Sequence, residues 1–197
     1  MKIYLDFDDT IVNSIETITS IVNERYLKNV APKDIGEWDF SDVYPDIPLD
    51  DIVKVFGEQE FFNDVELKDY ALIAIHKLSK RNDITIVSKV TPEAFRRKSD
   101  WIKDNLEALG INVNFVGVPI NESKSIVDMT GGVVVDDKVS FLEETNAKYK
   151  IFFNNHRKFD IGQSNEWDGI EVDNWKDLYD ELADIIREEK GITNGKI

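Results

Sequence analysis

The sequence contains no cysteine, which excludes disulfides and thiolate metal sites and suits a reducing compartment. It has two histidines, His76 and His156, too few for a His-rich zinc centre. Basic residues are the minority: 24 Lys and Arg stand against 39 Asp and Glu, for a formal net charge of −15. A chain so acidic is not suited to gripping a long nucleic acid by its backbone. A small phosphorylated substrate remains compatible, where a metal and a lysine offset its charge. No apolar run approaches the roughly 20 residues of a membrane helix. No signal peptide is read at the N-terminus, where one lysine precedes a strand. A cytoplasmic protein with no membrane partner is expected.

What is present begins with KIYLDFDDT, residues 2–10. The apolar Ile3, Tyr4 and Leu5 read as a buried strand that ends at Asp6, Phe7, Asp8, Asp9 and Thr10. Three carboxylates in four positions repel one another, and a hard divalent ion is the simplest group to hold them. Alternatively, Asp9 or Thr10 caps a following helix. With 197 residues, 42% of them hydrophobic, the chain can build one domain with a real core and an inserted subdomain.

Residues 14–30 carry Ile15, Ile18, Ile21 and Val22 at helical spacing, and Pro32 ends the pattern. Residues 33–48 are irregular, with Trp38, Phe40 and Tyr44 close together; 49–56 reads as a short helix, and Phe61-Phe62 follows. Residues 15–65 are expected to form a helical cap inserted into a core domain made of 1–14 and 66–197. Most of the cap aromatics are expected to pack a local core. From residue 67 onward helices and strands alternate. Strands are expected at 84–87, 113–116, 132–135, 149–153 and 170–172, and helices at 67–80, 92–109, 139–146 and 174–188. A short helical piece is expected near Lys124, and 154–168 reads as a polar loop. This alternation specifies an α/β fold, a Rossmann-like parallel sheet flanked by helices.

In such a sheet, chemistry gathers at the carboxyl ends of the strands. Asp6, Ser88 and Asp136 are each expected there, with Lys124 preceding the strand that delivers Asp136. An aspartate so placed can attack phosphorus, and a second carboxylate two residues on, Asp8, can serve as acid and then base. Mg²⁺ takes a few carboxylates, here Asp6 with Asp136 or Asp137, plus water and phosphate oxygens. Ser88 can donate to a phosphoryl oxygen and Lys124 can place a positive charge beside it. Phosphoryl transfer asks mainly for this positioning and charge neutralisation.

The order DFDDT, Ser88 after an apolar strand, Lys124, then VVVDD resembles the haloacid dehalogenase superfamily of phosphatases. The segments FFNDVELKDYALIAIHKL, KSDWI (98–102), KSIV and VDNWKDL are similar to the 5′(3′)-deoxyribonucleotidase family. That resemblance implies Asp6 as nucleophile, Asp8 as acid/base, and Ser88 and Lys124 as phosphate binders. It implies Mg²⁺ held by Asp6, the Asp8 carbonyl and an aspartate of the pair Asp136-Asp137. Lys89, where the family tends to have proline, and Trp38 in the cap are carried as further substrate contacts. Asp9-Thr10 stand where the family more often has glycine and valine, and Gly131-Gly132 lengthen the spacing from Lys124 to Asp136. The expected substrate is a nucleoside monophosphate and the expected assembly a homodimer. The alternatives are a phosphatase for a sugar phosphate and a non-catalytic metal-binding protein of the same fold. A dehalogenase is disfavoured, because carbon–halogen cleavage has no use for Asp8.

Overall fold

The computed structural model describes residues 1–37 and 39–191. The first strand, β1 (Lys2–Leu5), is buried from Ile3 onward and lies at the centre of six parallel strands. The others are β2 (Asp83–Val90), β3 (Asn114–Pro119), β4 (Val133–Asp136), β5 (Tyr149–Phe153) and β6 (Ile170–Val172). They lie in the order β3-β2-β1-β4-β5-β6. Every pairing is parallel, so both faces must be covered, and the alternation of side chains divides the core in two. Ile3, Leu5, Ile84, Ile86, Val133, Val135, Ile151 and Phe153 enter the larger cluster. Tyr4, Val87, Val134 and Phe152 point the other way, into a smaller cluster with Met129, Val139 and Leu142.

The helices are α1 (Ser14–Tyr26), α2 (Leu49–Val55), α3 (Gln59–Asp64), α4 (Ala71–Ser79), α5 (Pro92–Asn105), α6 (Val139–Glu144), α7 (Lys158–Glu166) and α8 (Trp175–Glu189). Residues 15–65 hold α1, α2 and α3. Ile15, Ile18 and Val22 of α1 join Ile52, Val55, Phe61 and Phe62 in the larger cluster, with Phe40 and Tyr44 from the intervening turns. Phe61 and Phe62 are buried and meet edge to face, ring centroids 5.0 Å apart. The Tyr44 hydroxyl donates to Asn23 Oδ1 at 3.1 Å. These aromatics therefore pack into the core that the segment shares with the sheet, not into a separate one. Among the described residues, no helix is long and apolar enough to cross a membrane.

Several sequence boundaries shift. Helix α1 stops at Tyr26, four residues earlier than expected, where Leu27 turns left-handed at φ 52° and closes the helix through Asn23. Helix α4 begins at Ala71, because Tyr70 at φ 69° breaks the backbone before it. Strand β2 runs on to Val90, so Ser88 lies inside the strand, paired with Gly117 of β3. Strand β3 extends to Pro119 for the same reason. The polar stretch 154–168 is not a continuous loop. It contains α7, whose first turn is fixed by Asp160 accepting the Arg157 backbone N–H at 3.0 Å. The extra glycines before β4 have a use: Gly131 takes φ 73°. At Gly132 a Cβ would fall 2.7 Å from the Tyr4 ring and 3.0 Å from the Lys2 carbonyl, so β4 closes tightly against β1 only with glycine there.

Helix α8 reaches the β1 loop through one bond. Trp175, buried, donates from Nε1 to the Thr10 carbonyl at 2.7 Å. Trp175→Phe should therefore cost about 1–3 kcal/mol, the usual effect of leaving a buried polar group unpaired. Equilibrium denaturant unfolding measures it; a loss under a few tenths would show that the bond does not tie the terminus to the loop.

Candidate active site

The register of β1 against β4 sets the site. Leu5 pairs with Val135, and the Asp6 amide donates to the Val135 carbonyl at 2.9 Å, so Asp6 and Asp136 leave adjacent strands side by side. Lys124 comes from a 3₁₀ turn (Lys124–Ile126) that Ser123 caps through its hydroxyl. Its ammonium donates to Asp6 Oδ1 and to Asp136 Oδ2, each at 2.6 Å, and all three side chains are buried. Burial alone would lower Lys124, but Asp136 and Asp6 hold it above its ordinary value. Burial raises Asp6 to about 7 against the pull of Lys124, with Asp136 and Asp8 adding to the rise. Burial likewise raises Asp136, again against Lys124.

Asp8 faces the cavity from the other side. Its Oδ1 accepts from Ser14 Oγ at 2.8 Å, the first residue of α1. Its Oδ2 accepts from Lys98 Nζ and, at 3.3 Å, from Ser88 Oγ. Lys98 Nζ also donates to Ser88 Oγ at 2.8 Å and sits 4.9 Å from the Phe7 ring centre. Ser88 and Lys98 are both buried. Ser88 and Asp8 thus come together as expected, with a lysine between them.

Asp137 is separated from Asp136 in its partners. Arg157 Nη2 donates to its Oδ2 at 3.2 Å, and Gln163 donates to its carbonyl at 3.0 Å. Burial, and then Asp9, push Asp137 well above the carboxylate range, opposed by Arg157. One oxygen from each of Asp6, Asp136 and Asp137 falls within 4.8 Å of the others. Three buried carboxylates this close, in a chain without thiols, form an oxygen donor set that fits a hard divalent cation.

Above these groups opens a cavity of about 330 Å³. Its floor carries Asp6, Asp8, Lys98 and Lys124; its upper wall is Phe40, Leu49, Val53 and Phe56 from the 15–65 segment. Lys89 lines it too. The Lys89, Lys124 and Lys138 ammonium groups lie 5.1, 5.0 and 4.5 Å from the Phe141 ring centre. Trp38 lies outside the described residues.

Sequence reasoning missed Ser14, Lys98, Arg157 and Phe141. Lys98 left a signal: Ala94, Lys98, Trp101 and Ile102 form the buried face of α5, so a lysine occupies a core position of an amphipathic helix. Arg157 left none, because it sits in a polar stretch with no periodicity.

A family model described as 5′ nucleotidase, deoxy (pyrimidine), cytosolic type C protein matches residues 1–188. The 5′(3′)-deoxyribonucleotidase of Clostridium acetobutylicum is 23% identical over 154 residues, 78% of this chain and 82% of that one. A HAD family hydrolase from Deinococcus radiodurans, solved with phosphate and sodium, superposes with a TM-score of 0.62 at 13% identity, covering 99% of this chain and 98% of that one. D,D-heptose 1,7-bisphosphate phosphatase from B. bronchiseptica, complexed with magnesium and phosphate, gives 0.55 at 11% identity over 93% and 99%. At such identity the two structures speak for the fold.

The raised Asp6 has a consequence for stability. A carboxyl whose folded pKa exceeds its unfolded value of 3.8 imposes no penalty while protonated in both states. The penalty grows as pH climbs from that value to about 7 and is constant above it. Asn at this position cannot ionise. Metal-free wild type should therefore lose stability relative to Asp6→Asn across this window, followed by thermal melting in EDTA. Parallel pH profiles for the two proteins would contradict the raised value.

Proposed function

The chain belongs to the 5′ nucleotidase, deoxy (pyrimidine), cytosolic type C family, and from that premise we propose that it hydrolyses nucleoside monophosphates, deoxyribonucleotides by preference, through an aspartyl-phosphate on Asp6. It is a phosphoric monoester hydrolase, with the fold of the haloacid dehalogenase-type hydrolases. The observation that carries the proposal is Lys124 held 2.6 Å from both Asp6 and Asp136 at neighbouring strand ends. That arrangement neutralises a nucleophilic carboxylate without capping its second oxygen.

Lys124 holds Asp6 Oδ1, which leaves Oδ2 to attack phosphorus. The bond from phosphorus to the ester oxygen breaks, and Asp8 gives that oxygen its proton. Asp8 then takes a proton from a water, which attacks the same phosphorus, releasing phosphate and restoring the Asp6 carboxylate. Lys98 and Lys124 line one side of this path, with Lys89 at the edge and Ser88 bonded to Lys98 behind them, and together they bind the phosphoryl oxygens. Asp6, the Asp8 carbonyl, Asp136 and Asp137 are the candidates to hold Mg²⁺, which would supply charge to the developing phosphoryl oxyanions.

Residues 15–65 act in this proposal as the cap over a core of 1–14 and 66–191. Phe40, Leu49, Val53 and Phe56 then meet the leaving nucleoside, whose base has a flat apolar face. An aromatic ring against that face contributes about 1–3 kcal/mol with little regard for base identity.

A panel of phosphorylated metabolites, assayed for phosphate release with Mg²⁺, tests the proposal. Deoxyribonucleoside monophosphates should be the best substrates, EDTA should abolish turnover, and Asp6→Asn should be inactive because an amide forms no acyl-phosphate. Sugar phosphates outrunning every nucleotide would leave a phosphatase and remove the nucleotidase. Turnover by Asp6→Asn near the wild-type rate would place the nucleophile elsewhere.

A further inference from the structure

Arg157 takes no part in the reaction proposed above, yet it is buried and its guanidinium is shared among three carboxylates from three parts of the chain. Nη1 donates to Asp9 Oδ2 at 2.8 Å, Nη2 to Asp137 Oδ2 at 3.2 Å, and Nε to Asp160 Oδ2 at 2.7 Å. Asp160 also accepts from Nη2 at 3.2 Å and from the Arg157 backbone N–H at 3.0 Å, which fixes the side chain at its root, just before α7.

The two remaining partners belong to the two loops that deliver the cation-site carboxylates. Asp9 follows Asp6 and Asp8 at the end of β1, in a left-handed turn at φ 52°. Its other oxygen accepts from the Ile15 amide at 3.1 Å, so Asp9 also starts α1. Asp137 follows Asp136 at the end of β4. A planar fork with bonds to both loops fixes their separation as well as supplying charge. Lys124 joins Asp6 to Asp136 from the cavity side, and Arg157 joins Asp9 to Asp137 from the other.

We propose that Arg157 is a positioning residue for the cation site: its fork braces the β1 loop against the β4 end and holds Asp137 beside Asp6 and Asp136. This rests on the reading of that cluster as a cation site. Two roles for Arg157 predict opposite signs. If it acted only as a positive charge near the cluster, it would repel a divalent ion, and neutralising it would tighten binding. As a brace it must weaken binding when the fork is lost. Groups that orient metal ligands without touching the metal typically control 10–100-fold in affinity.

The test is Mg²⁺ titrated calorimetrically into metal-free wild type, Arg157→Lys and Arg157→Met. Thermal melting of each metal-free protein establishes that it is folded. Lysine keeps the charge and loses the fork. Its dissociation constant for Mg²⁺ should rise about tenfold or more, with kcat on an aryl phosphate recovered at saturating Mg²⁺ and KM for the ester unchanged. A lowered melting temperature with unchanged Mg²⁺ affinity in the folded lysine variant would mean that Arg157 is only structural, and would overturn the proposal. Tighter binding by Arg157→Met would overturn it as well. Should both arginine variants fail to fold, Asp160→Asn carries the test, since Asp160 contacts the brace and not the cluster. Weaker Mg²⁺ binding is expected there, and unchanged binding overturns the proposal. A wild type that binds no Mg²⁺ removes the cation site itself, an outcome distinct from failure of the brace alone.

Discussion

Mutual repulsion among buried carboxylates is the constraint on which the rest of this structure depends. Asp6, Asp9, Asp136, Asp137 and Asp160 are all buried, and Asp8 stands beside them. Like charges so close cannot all stay ionised unless cations stand among them. Three side chains provide that charge from three different elements: Lys124 from a 3₁₀ turn, Lys98 from α5 and Arg157 from the approach to α7. Each is buried, so each is desolvated and depends on its carboxylates in turn. Removing one partner of such a pair typically costs about 3–5 kcal/mol, because the other is left charged and dry. Among the described residues, six carboxylates face these three side chains and Lys138, so the centre remains acidic, and a divalent ion would reduce that excess.

The same arrangement sets two carboxylates, Asp6 and Asp8, in different surroundings. Asp6 sits between Lys124 and the cavity, where one oxygen is held and the other is presented. Asp8 lies across from it, bonded to Ser14 at the start of α1 and to Ser88 and Lys98 of the sheet side. The parallel sheet makes this possible, because the register aligns Asp6 with Asp136 and lets β2 carry Ser88 alongside. Over this polar floor, the 15–65 segment lays Phe40, Leu49, Val53 and Phe56. A cavity with a charged floor and an apolar roof suits a molecule that is anionic at one end and flat and uncharged at the other. The overall charge of −15 is locally reversed at the rim, where Lys89 and Lys138 flank the Phe141 ring.

The parallel sheet was legible in the sequence because its strands are short apolar runs that alternate with helices. The placement of Asp6 and Asp136 was legible because each follows such a run directly; Asp8 comes two residues after Asp6, and Lys124 precedes the β4 run. Ser88 was found for partly the wrong reason: it lies within β2, and its neighbours in β3 are what the local pattern could not reveal. Helix α7 was missed because its stability comes from Asp160 binding Arg157, not from an apolar face; only Asp160 of the helix is buried. Arg157 itself was invisible, since its partners are 148, 20 and 3 residues away and an arginine in a polar stretch reads as solvated. Lys98 should have been seen, because a lysine in line with Ala94, Trp101 and Ile102 must be buried and therefore paired.

The most direct measurement is a crystal structure of the protein grown with beryllium fluoride and Mg²⁺. A trifluoroberyllate mimics a phosphoryl group on a carboxylate. It should be found on Asp6 Oδ2, with Lys124 against its fluorines and a metal ion at the Asp6, Asp136 and Asp137 cluster. Trifluoroberyllate on another carboxylate, or a metal ion bound away from Asp6 and Asp136, would contradict the assignment of Asp6 as the residue that takes the phosphoryl group.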